Sequence, residues 1–215
     1  MTLAAALEEG TISPETVFDV PYKIRRAGED FKDHEPHPLQ KLTTAGILAV
    51  SSNTGTIKIA ETMSHNTLHS YLTKFGIGLK TGAGLPGENV GRLLAVKDWS
   101  GTTAPTVAFG QGYSLNAMQA TSIFATLANN GIRVSPTVIA GTSDTSGNFT
   151  EFKNEKGVQV VSAATATKMR IMMESVVSAN GTAPSAAIPG YRVAGKTGTA
   201  TRWNDNCGCY SGYTA

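Results

Sequence analysis

Residues 191–200, Tyr-Arg-Val-Ala-Gly-Lys-Thr-Gly-Thr-Ala, constrain this chain more than any other stretch. Their first four residues have the β-branched and aromatic character of a short strand, and a strand must find a neighbour for its backbone groups. The strand is expected to run into small residues that carry one lysine, Lys196, and two hydroxyls, Thr197 and Thr199, on either side of Gly198. Such an edge presents a fixed positive charge, two hydroxyl donors and a row of backbone N–H groups. An extended peptide ending in a carboxylate suits it. The peptide can add to the edge as a strand, while the charge and hydroxyls hold its carboxylate. Residues 190–197 also satisfy the nucleotide-binding pattern G-x-x-x-x-G-K-T. That pattern needs a strand before its first glycine and a helix opening at its lysine. Here residues 184–189, Pro-Ser-Ala-Ala-Ile-Pro, are loop-like, and residues 198–208 are poor helix material. The carboxylate-binding reading is therefore preferred to a P-loop.

The chain of 215 residues is long enough to bury one sizeable core, or to form part of a larger domain. With 40% hydrophobic and 16% charged residues it is globular in composition. A net charge of +2 gives no reason to expect a nucleic-acid partner. No apolar run approaches the ~20 residues of a membrane helix, and the start has no signal-peptide pattern. Cys207 and Cys209 stand one residue apart. They lack a second Cys/His pair at zinc spacing, so no metal is expected. A disulfide between them would close a tight ring, and two loop thiols or a weak extracellular disulfide is the reading preferred to a metal site.

Residues 2–9, Thr-Leu-Ala-Ala-Ala-Leu-Glu-Glu, are strong helix material closed by Gly10, with no N-cap before them, as in a helix cut short. Residues 16–20 are a strand candidate, and the polar, proline-punctuated 29–38 read as a solvated loop in which His34 and His37 hold no metal. The spacing predicts one helix over 39–50 and a second from about Thr56 to Phe75. Ser51, Ser52 and Asn53 then fall at a tight turn between two helices, where Ser52 or Asn53 can cap and Ser51 with Asn53 can project a hydroxyl and an amide into a cleft. Residues 76–101 are glycine-rich, and their Lys80-Thr81-Gly82 leads into loop, so it is read as a chance match. A helix is expected over 117–128, closed by Asn129-Asn130-Gly131. Strands are expected at 137–140 and 158–161, with an exposed hairpin or loop over 141–157. Ser162 caps a last helix whose Met169, Met172, Met173, Val176 and Val177 follow core spacing.

Ser51-Ser52-Asn53, Leu85-Pro86-Gly87-Glu88, Gly110-Gln111-Gly112 with its helix, Ala128-Asn129-Asn130-Gly131 and Gly195-Lys196-Thr197-Gly198-Thr199 occur in one order along nearly the whole chain. In that order they resemble the transpeptidase domain of class B penicillin-binding proteins, above all the peptidoglycan D,D-transpeptidases of cell division. The Cys-Gly-Cys-Tyr that follows is similar to actinobacterial members. The resemblance implies an α/β (α+β) penicillin-binding fold, with a helical subdomain and a mainly antiparallel sheet, spanned by residues 1–215 as a partial domain incomplete at both ends. It implies acyl transfer through a serine ester with no cofactor. The family's nucleophile lies in Ser-x-x-Lys, and no serine here has a lysine three residues on. That motif is therefore expected just before Met1.

By the same resemblance, Ser51 shuttles a proton to the leaving amine and Asn53 binds the amide of the substrate. Lys196 supplies positive potential, and Thr197 and Thr199 bind the terminal carboxylate. The Thr199 N–H forms half of the oxyanion hole. The implied partners are peptidoglycan stem peptides and β-lactams. For the full-length protein they include a septal glycosyltransferase and other division proteins, with a membrane anchor and a place on the outer face of the cell membrane. A serine β-lactamase or D,D-carboxypeptidase on the same fold is the alternative, although no segment supplies a deacylating base.

Overall fold

The computed structural model describes residues 1–153, 156–204 and 209–214. Its centre is α1 (Thr2–Glu8), whose Ala4, Ala5 and Ala6 are completely buried. Small side chains let it lie close against α3 (Asn53–Ala60), α4 (His65–Lys74) and α7 (Ala163–Val177). Gly10, in the left-handed region at φ 69°, stops α1 as expected. The Gly10 N–H donates to the Leu7 carbonyl and the Thr11 N–H to the Ala6 carbonyl, which closes a Schellman turn. Buried Thr2 donates its hydroxyl to the Ala108 carbonyl at 2.7 Å, tying α1 to α5 (Thr103–Phe109). The sequence reading had placed no helix at α5.

α7 presents Met169, Met172, Met173, Val176 and Val177 to the core, as their spacing predicts, and packs on α2 (Thr44–Ala49). Burying each large apolar side chain stabilises the fold by roughly 1.5–3 kcal/mol. α6 (Ala117–Ala128) lies beside α7 and opens on a capping box in which Asn116 and Gln119 satisfy each other's backbone N–H groups.

The described strands form five antiparallel pairs and no larger sheet. They are β1 (Val17–Val20) with β4 (Gln40–Thr43), β2 (Lys23–Arg26) with β3 (Glu29–Lys32), β5 (Ile132–Arg133) with β8 (Val158–Gln159), β6 (Gly141–Ser143) with β7 (Phe149–Glu151), and β9 (Ala200–Asn204) with β10 (Cys209–Thr214).

Several expectations need correction. The helix expected over 39–50 is half strand: Phe18 opposes Leu42 in the β1–β4 register, and Leu39 is 65% exposed. Thr43 caps α2 by accepting from the Gly46 N–H, and a capping residue is extended, so the helix cannot start before it. The single helix expected to reach Phe75 is two, because Ser64 caps α4 by accepting from the Thr67 N–H. Its apolar period ran through the break because both helices face one core. The first four residues of the expected 29–38 loop are β3. Residues 137–140 are not a strand, since Ile132 and Arg133 take the pairing with β8 instead.

The segment 191–194 is not a strand either. Among the described residues no strand runs beside 191–199, and β9 begins only at Ala200. Lys196 thus leads into a strand and not a helix, and loop precedes Gly190, so the geometry required of a P-loop is missing. Cys209 opens β10 rather than lying in a loop, and Cys207 lies outside the described residues.

Candidate active site

α2 ends at Ala49, and the chain turns at once into α3. Ser51 donates its N–H to the Leu48 carbonyl at 3.2 Å, and Ser52 donates to the Ile47 carbonyl at 3.0 Å. This is again a Schellman closure, and Ser51 occupies the slot that usually holds glycine. Its φ of 57° is left-handed, a conformation that costs a residue with a Cβ about 1–2 kcal/mol. Strain of this kind persists only where the surroundings impose it.

The surroundings are dense. Ser52 caps α3, its Oγ accepting from the Gly55 N–H at 2.9 Å and donating to Asp33 Oδ2 at 2.7 Å. The Thr54 N–H donates to Asp33 Oδ1 at 2.9 Å, and the Thr54 hydroxyl donates to the Pro21 carbonyl at 2.7 Å. Asn53 Nδ2 donates to the Lys32 carbonyl at 3.0 Å. The β2–β3 hairpin and the residue after it therefore clamp residues 52–54 from one side. Asp33 is buried at the centre of the clamp, where its negative charge also suits the N-terminus of α3.

Lys196 approaches from the other side. Its Nζ donates to Ser51 Oγ at 2.6 Å and to the Thr197 carbonyl at 2.8 Å. The two site residues lie 145 positions apart in sequence, so the contact is made by tertiary structure alone. Burial lowers the Lys196 pKa. Among the described residues no carboxylate pairs with Lys196, so its charge is available to an incoming anion. The α-amino group of Met1 lies in the same corner, pushed down to about 6 first by burial and then by the charge of Lys196. The Thr197 hydroxyl hydrogen-bonds the Thr182 hydroxyl at 2.8 Å, while Gly198 and Thr199 are exposed.

The structure thus joins Ser51 to Lys196 and brings Thr197 with them. It gives the Asn53 side chain no hydrogen bond to Ser51, Lys196 or residues 197–199, since its amide is engaged by Lys32. Lys80-Thr81-Gly82 lies elsewhere, with the Thr81 N–H donated to Glu88. Sequence reasoning missed Asp33 and His37. Nothing in Lys-Asp-His-Glu-Pro-His marks one carboxylate as buried, because burial depends on where Ser52 and Thr54 arrive. Among the described residues no three His, Cys, Asp or Glu side chains converge on a metal position.

Chemically, a hydroxyl that accepts from an ammonium becomes a better donor through its own O–H. Ser51 is placed to pass a proton onward, next to a cation that can hold an anion.

Comparison with known proteins gives a consistent result. The penicillin binding protein transpeptidase domain family matches residues 1–215. Penicillin-binding protein PbpB of Mycolicibacterium smegmatis is 39% identical over 216 residues, covering 98% of this chain and 33% of the relative. Peptidoglycan D,D-transpeptidase FtsI of Escherichia coli is 31% identical over 210 residues, covering 94% and 32%. The crystal structure of penicillin binding protein 3 from Mycobacterium tuberculosis, complexed with aztreonam, superposes with a TM-score of 0.95 at 38% identity. That match covers 98% of this chain and 48% of the other. The chain spans about a third of the length of the curated relatives it matches.

Proposed function

Because this chain belongs to the class B penicillin-binding protein transpeptidases, we propose that it supplies the proton-shuttling and carboxylate-binding parts of a peptidoglycan D,D-transpeptidase site. The observation that carries this reading is the 2.6 Å contact of Lys196 Nζ with Ser51 Oγ. It supports the reading because a departing amine needs a hydroxyl that can pass it a proton, and the terminal carboxylate of a stem peptide needs an uncompensated cation nearby.

In the proposed reaction a serine of a Ser-x-x-Lys motif attacks the carbonyl of the penultimate D-alanine. The serine ester forms, the peptide bond breaks, and the terminal D-alanine leaves with a proton relayed through Ser51. A second stem peptide's amine then displaces the serine. Lys196, Thr197 and Thr199 hold the carboxylate, Gly198 lets the ligand backbone approach, and the Thr199 N–H serves the oxyanion. We assign Asn53 to the substrate's amide, which requires it to release the Lys32 carbonyl. The 215 residues contain no Ser-x-x-Lys. β-Lactams are the expected inhibitors, by the likeness to the aztreonam complex.

None of the described helices is long and apolar enough to cross a membrane. A membrane anchor, a septal glycosyltransferase partner and division-protein partners belong to this proposal for the whole protein, at the outer face of the cell membrane.

The test is to express the full reading frame containing this chain and label it with a fluorescent penicillin. The expected adduct maps by mass spectrometry outside residues 1–215, is blocked by aztreonam, and forms slowly in Lys196→Ala. An adduct on Ser51 would overturn the assignment of roles.

A further inference from the structure

We infer that His37, acting through Asp33, is a positioning residue for the turn at residues 51–54, and that its doubly protonated ring is the form that holds this turn in place. The inference deepens the transpeptidase reading and takes its functional meaning from it.

His37 Nδ1 lies 2.7 Å from the Pro38 carbonyl oxygen, and Nε2 lies 3.0 Å from Asp33 Oδ2. Both facing atoms are acceptors. A neutral imidazole has one N–H and can satisfy only one of them, whereas the imidazolium satisfies both. The ring is 17% exposed and packs edge-on against Tyr22, with centroids 6.0 Å apart. Asp33 is the charged group that faces it. Tyr22 approaches from the β1–β2 loop, and the capped N-terminus of α3 contributes only the neutral Ser52 and Thr54 to the same carboxylate. Neighbouring Glu35 is turned outward to His34.

Loss of the proton sets a ring lone pair against either the carbonyl or the carboxylate. In both cases the 33–38 segment must readjust. Asp33 Oδ2 is shared by His37 and Ser52, so a shift of the carboxylate moves the acceptor that fixes Ser52. Ser51 is the adjacent residue and sits in a left-handed conformation that its surroundings impose. His37 therefore reaches the Lys196–Ser51 contact through one shared carboxylate.

Two measurements test this. In the 215-residue chain, NMR titration from pH 5 to 9 follows the His37 ring and the amides of Ser51, Ser52, Asn53 and Thr54. The amides are expected to move with the ring's midpoint, which should lie above the free-histidine value of ~6.5, and to stop doing so in His37→Gln. In the full reading frame, acylation by a fluorescent penicillin is expected to decline on the alkaline side at that midpoint. His37→Gln should remove that step and slow the reaction at pH 7 about threefold to tenfold, the effect of one ordinary hydrogen bond on an equilibrium. His34→Gln should change neither result.

Amides that titrate independently of the ring, or an unchanged rate profile in His37→Gln, would overturn the inference while leaving transpeptidation intact. Coupled amides with no labelling at any pH would support the positioning role and sink the functional reading. If His37→Gln does not fold, the titration of the unmodified chain decides the matter by itself.

Discussion

Replacing Asp33 by alanine should be among the most damaging single changes near the site, although Asp33 is not among the residues proposed to hold substrate. The residue is 8% exposed and its neighbour Ser52 is 2% exposed, so water has little access to the groups it serves. Alanine leaves the Ser52 hydroxyl and the Thr54 N–H as interior donors without an acceptor, at about 1–3 kcal/mol each. It also removes a negative charge from the N-terminus of α3, worth about 0.3–1 kcal/mol. Together these predict a loss of about 2–7 kcal/mol, a large part of the ~5–15 kcal/mol that holds a typical domain. Asp33→Asn keeps one acceptor oxygen, which can serve Thr54, but turns an amide toward the Ser52 and His37 donors. It should lose about half as much. The assay is urea unfolding of the 215-residue chain at pH 7, with the slope required to stay constant so that the midpoint reports stability. A loss below about 1 kcal/mol in Asp33→Ala would mean that water satisfies the stranded donors, and the clamp would then be incidental. Equal losses for asparagine and alanine would show that charge, and not acceptor count, sets the effect.

Ser51→Gly and Ser51→Ala both lose the Lys196 contact, but only alanine keeps the left-handed strain, so denaturant melts should find the glycine variant more stable by about 1 kcal/mol. Gly131→Ala would place a methyl 2.0 Å from the Val161 carbonyl oxygen at φ 81°, and combined strain and overpacking should cost about 3 kcal/mol or prevent folding. The His37 pKa is raised, by its bond to the Pro38 carbonyl first and then by Asp33. Its stabilising contribution is therefore complete below about 6.5, the unfolded value, and is lost as pH rises through the folded value. Melting temperatures of the unmodified chain should fall across that window relative to those of His37→Gln. The 215-residue chain alone should form no covalent band with a fluorescent penicillin on a denaturing gel; a band abolished by Ser51→Ala would show that it carries its own nucleophile.

Helices with a cap and an uninterrupted apolar face were legible in the sequence: α1 up to Gly10, α6 after Asn116, and α7 after Ser162 with its methionines. The misreadings came where a local signal had a distant arbiter. Leu39, Leu42, Ile47 and Leu48 fit a helical period, yet β1 claims residues 40–43 as its partner. Ala60 and Leu72 meet one core from two helices, which hides the break at Ser64. In the site, Lys196-Thr197-Gly198-Thr199 was singled out by its residue types, whereas Ser51-Ser52-Asn53, which by itself reads as a helix cap, was marked only by the order of motifs along the chain. The strand assigned to 191–194 was not, since a strand exists only where another lies beside it. Asp33 and His37 were invisible for a related reason: their role comes from contacts that Ser52 and Thr54 make with Asp33 from 19 and 21 positions further on, and from the His37–Asp33 pair within a polar stretch indistinguishable from a surface loop.

The two halves of the site are held by unequal means, and this bears on how a ligand binds. The turn at 51–54 is fixed by side chains from the β2–β3 region and by two helix termini. Among the described residues, 191–199 is held more lightly. The Gly195 N–H reaches the Met173 carbonyl at 3.3 Å, Thr197 reaches Thr182, and the guanidinium of Arg192 pairs with Glu174 at the surface. An exposed ion pair of that kind contributes about 0–1 kcal/mol. Lys196 is thus the long arm of a loosely tethered segment meeting a hydroxyl on a rigid one. A carboxylate bound between Lys196, Thr197 and Thr199 would gain its charge-assisted bonds only after ordering that segment, and side-chain and loop ordering subtracts from affinity. Under the proposed function, the rigid half would fix where proton transfer occurs, while the tethered half would determine how tightly an anion is held. Substitutions at Arg192 or Glu174 should therefore weaken carboxylate-dependent binding and leave the geometry around Ser51 unchanged.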